Sequence, residues 1–116
     1  METILQRLTD LDEIAGAVLV GKDGLIVTGT LHSEDEEVIG AMSAAAFGSI
    51  TSFISQMNTS TLRHIIIETE NGTIHFEEVG DLILVVTTQP TANNIGRVRI
   101  EMKKACRQIL DLVASY

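Results

Sequence analysis

Val38-Ile39-Gly40-Ala41-Met42-Ser43-Ala44-Ala45-Ala46-Phe47-Gly48-Ser49-Ile50-Thr51-Ser52-Phe53-Ile54-Ser55-Gln56-Met57 opens a stretch that continues to Leu62 without one charged residue. The rest of the chain is acidic, with 16 Asp and Glu against 8 Lys and Arg. So long an uncharged run is shielded from water on more than one side. A membrane span, a central core helix, and a helix buried first on its own sheet and then on a partner all satisfy that condition. Ser43, Ser49, Thr51, Ser52, Ser55 and Gln56 put polar groups on several sides, which argues against lipid. A chain of 116 residues has too few other elements to surround a helix completely. The third reading is left as the preferred one.

At 100° per residue, Val38, Ile39, Met42, Ala46, Ile50, Phe53, Ile54 and Met57 fall on one side, the side expected to cover a sheet. Gly40, Ala44, Gly48 and Ser52 recur every four residues on the other, with Ala41 beside them. Small residues at that spacing let two helix backbones approach closely, so Gly40, Ala41, Ala44, Gly48 and Ser52 are the expected seam with a twin helix. Phe47, Thr51 and Ser55 fill the remaining uncharged strip and are expected to face a third protein. The helix is expected to start at the acidic run Ser33-Glu34-Asp35-Glu36-Glu37, where Ser33 and Glu36 have capping-box spacing, and to end near Met57.

Working outward, Ile4, Leu5, Leu8 and Leu11 predict a short amphipathic helix ending near Asp12. Gly16–Val20 and Leu25–Thr28, joined by Gly21-Lys22-Asp23-Gly24, predict a hairpin covered on both faces. Leu62–Thr69, a turn centred on Asn71-Gly72, and Thr73–Val79 predict a second hairpin in which Glu68 opposes His75. Leu82–Thr88 is the most apolar strand and the expected centre of the sheet. A last helix from about Asn94 carries Ile95, Val98, Met102, Ala105, Cys106, Ile109 and Val113 on one face. Helix, two strands, helix, three strands, helix is an α+β order with an antiparallel sheet, in a single domain over residues 1–116. The Ile65-Ile66-Ile67 triplet is too apolar for a free sheet edge and is expected to pair with its own copy across a two-fold axis.

Catalytic patterns are missing from the sequence. Gly21-Lys22-Asp23-Gly24 is too short for a phosphate loop, and no Cys or His pair has zinc spacing. No metal, cofactor or enzymatic activity is expected. A net charge of −8 disfavours nucleic acid and anionic lipid. Five basic residues, Arg97, Arg99, Lys103, Lys104 and Arg107, sit on the last helix, and read as a solvated face or a docking surface for an acidic partner. A lone Cys106 and the lack of a basic, apolar leader after Met1 fit the cytoplasm.

Gly16-Ala17-Val18-Leu19-Val20 followed by Gly21-Lys22-Asp23-Gly24-Leu25-Ile26-Val27, the segment Glu78-Val79-Gly80-Asp81-Leu82-Ile83-Leu84-Val85-Val86, and Ile95-Gly96 leading into a basic helix together resemble the roadblock family of dynein light chains and bacterial gliding regulators. The resemblance covers nearly the whole chain. It implies a profilin-like fold: a five-stranded antiparallel sheet between one long helix and two shorter ones. It also implies a homodimer in which the long helices, here Glu34–Met57, lie side by side and the edge strands, here Leu62–Glu70, join through Ile65, Ile66 and Ile67. Prokaryotic members commonly regulate small Ras-like GTPases, so such a GTPase is the implied partner. A small-ligand-sensing domain and a structural tether in a motor or signalling complex stay open as alternatives.

Overall fold

The computed structural model describes residues 1–30, 36–57, 61–91 and 94–114. Its elements run α1 (Glu2–Thr9), β1 (Ile14–Gly21), β2 (Ile26–Gly29), α2 (Glu36–Gln56), β3 (Ile65–Thr69), β4 (Gly72–Val79), β5 (Leu82–Thr88) and α3 (Ile95–Ala114). This is the expected order. The α1 helix stops at Thr9, one turn short of the expected Asp12, because the Leu11 amide turns back to the Leu8 carbonyl at 3.1 Å. Ser33, expected to cap the long helix, lies outside the described residues, as do His32 and most of the Asn58–Thr61 break. The last helix begins where expected: the Asn94 side-chain oxygen accepts the Arg97 amide at 3.1 Å, capping a free N–H of the first turn.

All strands are antiparallel and lie in the order β2-β1-β5-β4-β3, so the strand richest in Ile, Leu and Val is the central one. Side chains alternate between two layers. On one face Ile14, Ala17, Leu19, Leu84 and Val86 pack with Ile4, Leu5 and Leu8 of α1 and Val98, Met102, Ala105 and Ile109 of α3. On the other, Val18, Val20, Ile65, Phe76, Ile83 and Val85 pack with Phe47 of α2. Burying each such Leu, Ile or Phe contributes about 1.5–3 kcal/mol.

Two sequence expectations fail at the sheet edges. The β1–β2 hairpin is not covered throughout, since β2 is an outer strand and Leu25 and Val27 point to solvent. The β3–β4 hairpin pairs Thr69 with Gly72, so its two-residue turn is Glu70-Asn71, not Asn71-Gly72. Glu68 therefore faces Thr73, and His75 faces Ile66. Gly72 is drawn into the ladder by the next strand. A Cβ there would lie 2.6 Å from the Thr88 carbonyl oxygen, and its φ of +125° suits only glycine.

Candidate functional site

The α2 helix is turned by about a quarter turn from the face predicted from its pattern. Gly40, Ser43 and Phe47 are the residues it buries. A Cβ on Gly40 would meet the Gly24 carbonyl and Ile26 Cγ1, each at 2.8 Å. The small residues thus bring α2 close to its own β1–β2 hairpin, and Phe47 fills the core behind them, 5% exposed. The expectations for Gly40 as a twin contact and Phe47 as a partner contact are corrected accordingly, because both side-chain positions are already occupied from within the chain. Ala44 is half-buried for the same reason.

Of the residues expected to cover the sheet, Ile50 packs against its core and Ile39, Ala46 and Ile54 are half-buried, but the other four are outside. Val38, Met42, Phe53 and Met57 are 55–66% exposed, and with Ala45 and Ser49 they make an uncharged stripe away from the core. The sequence missed them because a helix apolar on all sides has no polar face to fix its rotation. A usable signal was present: Phe47, the first of the helix's two Phe, sits among Gly40, Ser43 and Ala44, a flat bed that seats a helix tightly on a sheet. Ala41, Gly48 and Ser52 remain exposed, and a Cβ on Gly48 would find no atom within 4 Å. Thr51 and Ser55 are also exposed, the Thr51 hydroxyl donating to the Phe47 carbonyl at 2.8 Å. Length and composition alone would let Glu36–Gln56 cross a membrane. In the fold, its Gly40–Phe47 face is committed to the sheet.

The β3 strand carries the second part of the surface. Among the described residues it pairs only with β4, leaving its other edge unpaired. Ile65 is turned inward, 9% exposed, whereas Ile66 and Ile67 are 40% and 37% exposed on opposite faces of this edge strand. No charge or proline blunts the edge at Ile65-Ile66-Ile67. The three isoleucines expected to act together are therefore split, one in the core and two on the surface.

On the α1/α3 side of the sheet lies a chain of polar groups that the sequence did not connect. The Thr73 and Thr88 hydroxyls are 2.9 Å apart, Thr73 Oγ1 lies 2.9 Å from His75 Nε2, and His75 Nδ1 lies 2.9 Å from His64 Nε2. His64 Nδ1 then faces Glu77 Oε1 at 3.7 Å, and the Cys106 thiol donates to Glu77 Oε2 at 3.2 Å. His75 is completely buried, and burial first, then the neighbouring His64 and Arg99 charges, lowers its pKa to about 4 against a weaker opposing pull from Glu77. Burial would raise Glu77, but the His64 ring, the Cys106 thiol and the Lys103 charge together hold it below the usual carboxylate range. Burial and the adjacent Glu77 push the Cys106 thiol far up. A thiol so placed stays protonated and is a poor nucleophile. The slip in register hid this network: His75 was expected beside Glu68, which is exposed and faces Thr73.

The chain belongs to the Roadblock/LC7 domain family, whose pattern matches residues 1–88. Its sequence relatives include an uncharacterised protein of Methanocaldococcus jannaschii, 37% identical over 110 residues, a match that covers 94% of this chain and 96% of that one. Two further proteins of the same organism are similar to the same extent. Among solved structures, Myxococcus xanthus MglB superposes with a TM-score of 0.91 at 19% identity, over 99% of this chain and 95% of that one. A Roadblock/LC7 domain from Streptomyces avermitilis gives 0.89 at 15% identity, over 98% of each chain. The expected three-helix, five-stranded roadblock fold is the one observed.

Proposed function

We propose that this chain is a non-catalytic homodimeric scaffold of the cytoplasm that binds and regulates a small Ras-like GTPase. One observation carries the dimer: the exposed apolar stripe of α2 and the unpaired, uncharged edge of β3 both lack a cover within the chain. A second copy supplies one. Pairing β3 with its twin satisfies the edge amides and carbonyls, and the two α2 helices then shield Val38, Met42 and Phe53, with Ala41, Gly48 and Ser52 admitting close approach. The GTPase part of the reading is supported by membership of the roadblock family and by the likeness to MglB. On this chain the flank of α2 that carries Thr51 borders a cavity of about 170 Å³ with Lys22 and Glu78. With Ser55 one turn beyond Thr51, that flank is the proposed GTPase contact. The non-catalytic reading is supported by the state of the candidate chemical groups: His75 and Cys106 are buried, the first neutral and the second protonated. A buried free thiol suits a reducing compartment.

Light scattering in dilute solution is expected to give twice the chain mass. Gly48→Glu is expected to give a folded monomer, because the new side chain has open space in the isolated chain and meets a twin only in the dimer. A monomeric wild type overturns the dimer. Pull-down of a Ras-like GTPase that depends on its bound nucleotide, and that is lost in a dimeric Thr51→Lys/Ser55→Arg variant, supports the proposed contact. Undiminished capture by that variant moves the contact elsewhere.

A further inference from the structure

The basic residues of this acidic chain are not spread evenly. Arg99, Lys103 and Arg107 follow one another at four-residue intervals along α3, so their Cα atoms step about 6 Å along one side of the helix. Facing them across a groove of about 420 Å³ is the entry to β3, with Leu62, Arg63 and His64. Leu110 and Cys106 complete the apolar part of the wall, and Glu77 and Glu78 also line the groove. Glu78 pairs with Lys22 at 3.2 Å outside the groove, whereas Glu77 stays within it, accepting the Cys106 thiol and feeling the Lys103 charge. Arg63, Arg99, Lys103 and Arg107 form no ion pair within 4 Å among the described residues. Four cations against two carboxylates leave this concavity with a positive excess on an acidic chain, a cost that a solvated helix face avoids by alternating sign.

The floor of the groove supplies a second observation. The His64 side chain is only 4% exposed, and its Nδ1 is a buried polar atom without a hydrogen-bond partner, since Glu77 Oε1 at 3.7 Å is out of range. The relay behind it fixes what that nitrogen carries. If His64 donated from Nε2 to His75, its Nδ1 lone pair would face the Glu77 carboxylate, acceptor against acceptor. The opposite direction avoids this: Thr73 donates to His75 Nε2, His75 donates from Nδ1 to His64 Nε2, and His64 Nδ1 bears a proton. The groove thus holds a buried N–H directed toward Glu77 but beyond hydrogen-bond range of it, beside four cations that form no ion pair within 4 Å among the described residues.

The geometry points to a binding site for a small multivalent anion of the oligophosphate class. Guanidinium forks and an ammonium at about 6 Å spacing suit a ligand with two or more charged groups, which spans neighbouring cations as chloride cannot. The groove has the volume of a small-molecule site. A small ligand within the groove lies inside one Debye length of its four cations, about 8 Å at physiological salt. A nucleic acid or an anionic membrane would also meet the remaining surface of a chain with net charge −8. The site lies on the α3 face of the sheet, opposite α2, so its occupation does not depend on the proposed GTPase contact.

The test is a titration of the intact protein with sodium tripolyphosphate at low salt, followed by amide NMR. Saturable shifts confined to Arg63, His64, Arg99, Lys103 and Arg107, with Kd of about 1 mM or tighter, are expected. Arg99→Gln/Lys103→Gln, exposed positions whose change leaves the fold intact by circular dichroism, is expected to weaken binding by about tenfold or more. Soluble inositol phosphates are expected to compete. No saturable shift, or shifts undiminished in the double variant, overturns the site. Binding only to phosphoinositide vesicles, or tighter binding of a glutamate-rich peptide than of tripolyphosphate, overturns the small-anion assignment.

Discussion

Acid should weaken this protein through His75 before it protonates most carboxylates. The folded chain holds that ring neutral down to about 4, whereas an unfolded histidine takes up a proton near 6.5. Between those values the unfolded state binds one more proton than the folded state, so stability rises with pH across the window. It is complete above 6.5, falls as the pH drops through the interval, and levels off below about 4. At ~1.4 kcal/mol per pH step the interval amounts to roughly 3 kcal/mol, a large share of the stability of a small domain. The assay is urea unfolding of wild type and His75→Gln at a series of pH values from neutral to 4. Gln keeps an amide donor and acceptor for Thr73 and His64 but does not titrate. Glu77 and His64 are present in both proteins, so their contributions cancel in the difference. The wild type is expected to lose roughly 3 kcal/mol more than the variant over the window. Parallel stability curves would refute the reasoning, because they would mean that the ring is protonated as readily folded as unfolded.

Other perturbations follow from the packing. Phe47→Ala should cost about 3–5 kcal/mol in urea unfolding, as expected of a core side chain, where a surface contact would cost little. Gly40→Ala should destabilise by ~1–3 kcal/mol despite the better helix propensity of alanine, because the new methyl meets the immovable Gly24 carbonyl. Gly72→Ala should lower the thermal midpoint through both the φ of +125° and the collision with Thr88. A thiol reagent should label Cys106 rapidly in urea and hardly at all in the native protein, and fast native labelling would contradict its burial.

Much of the architecture was legible because periodicity and punctuation agree along the chain. The strand from Leu82 reads as central since every residue up to Val86 is apolar, and such a strand is stable only with neighbours on both edges and layers on both faces. The cap at Asn94 and the nearly continuous apolar run of β1 are local signals of the same kind. The rotation of α2 was not legible. Its small residues promote close packing without stating against what, and the β1–β2 hairpin took the position expected for a twin. Register in the second hairpin escaped for a different reason. Asn71-Gly72 has the composition of a turn centre, but Gly72 is needed where β5 comes closest, a requirement visible only once three strands are side by side. That two-residue slip concealed the His64–His75–Glu77 relay, which joins the entry to β3 with β4 and, through Cys106, with α3.

The bare edge of β3 has a consequence for related chains that share a cell. Strand pairing is written in backbone amides and carbonyls, which every sequence possesses, so an edge of this kind accepts a cousin almost as readily as a copy. Methanocaldococcus jannaschii holds three proteins at 37% identity to this one. If the proposed dimer forms, then wherever such siblings coexist fidelity of partner choice falls to the side chains flanking the shared ladder, with Val38, Met42 and Phe53 as the discriminating letters. Mixed assemblies would then arise from substitutions on one helix face, with the sheet left unchanged.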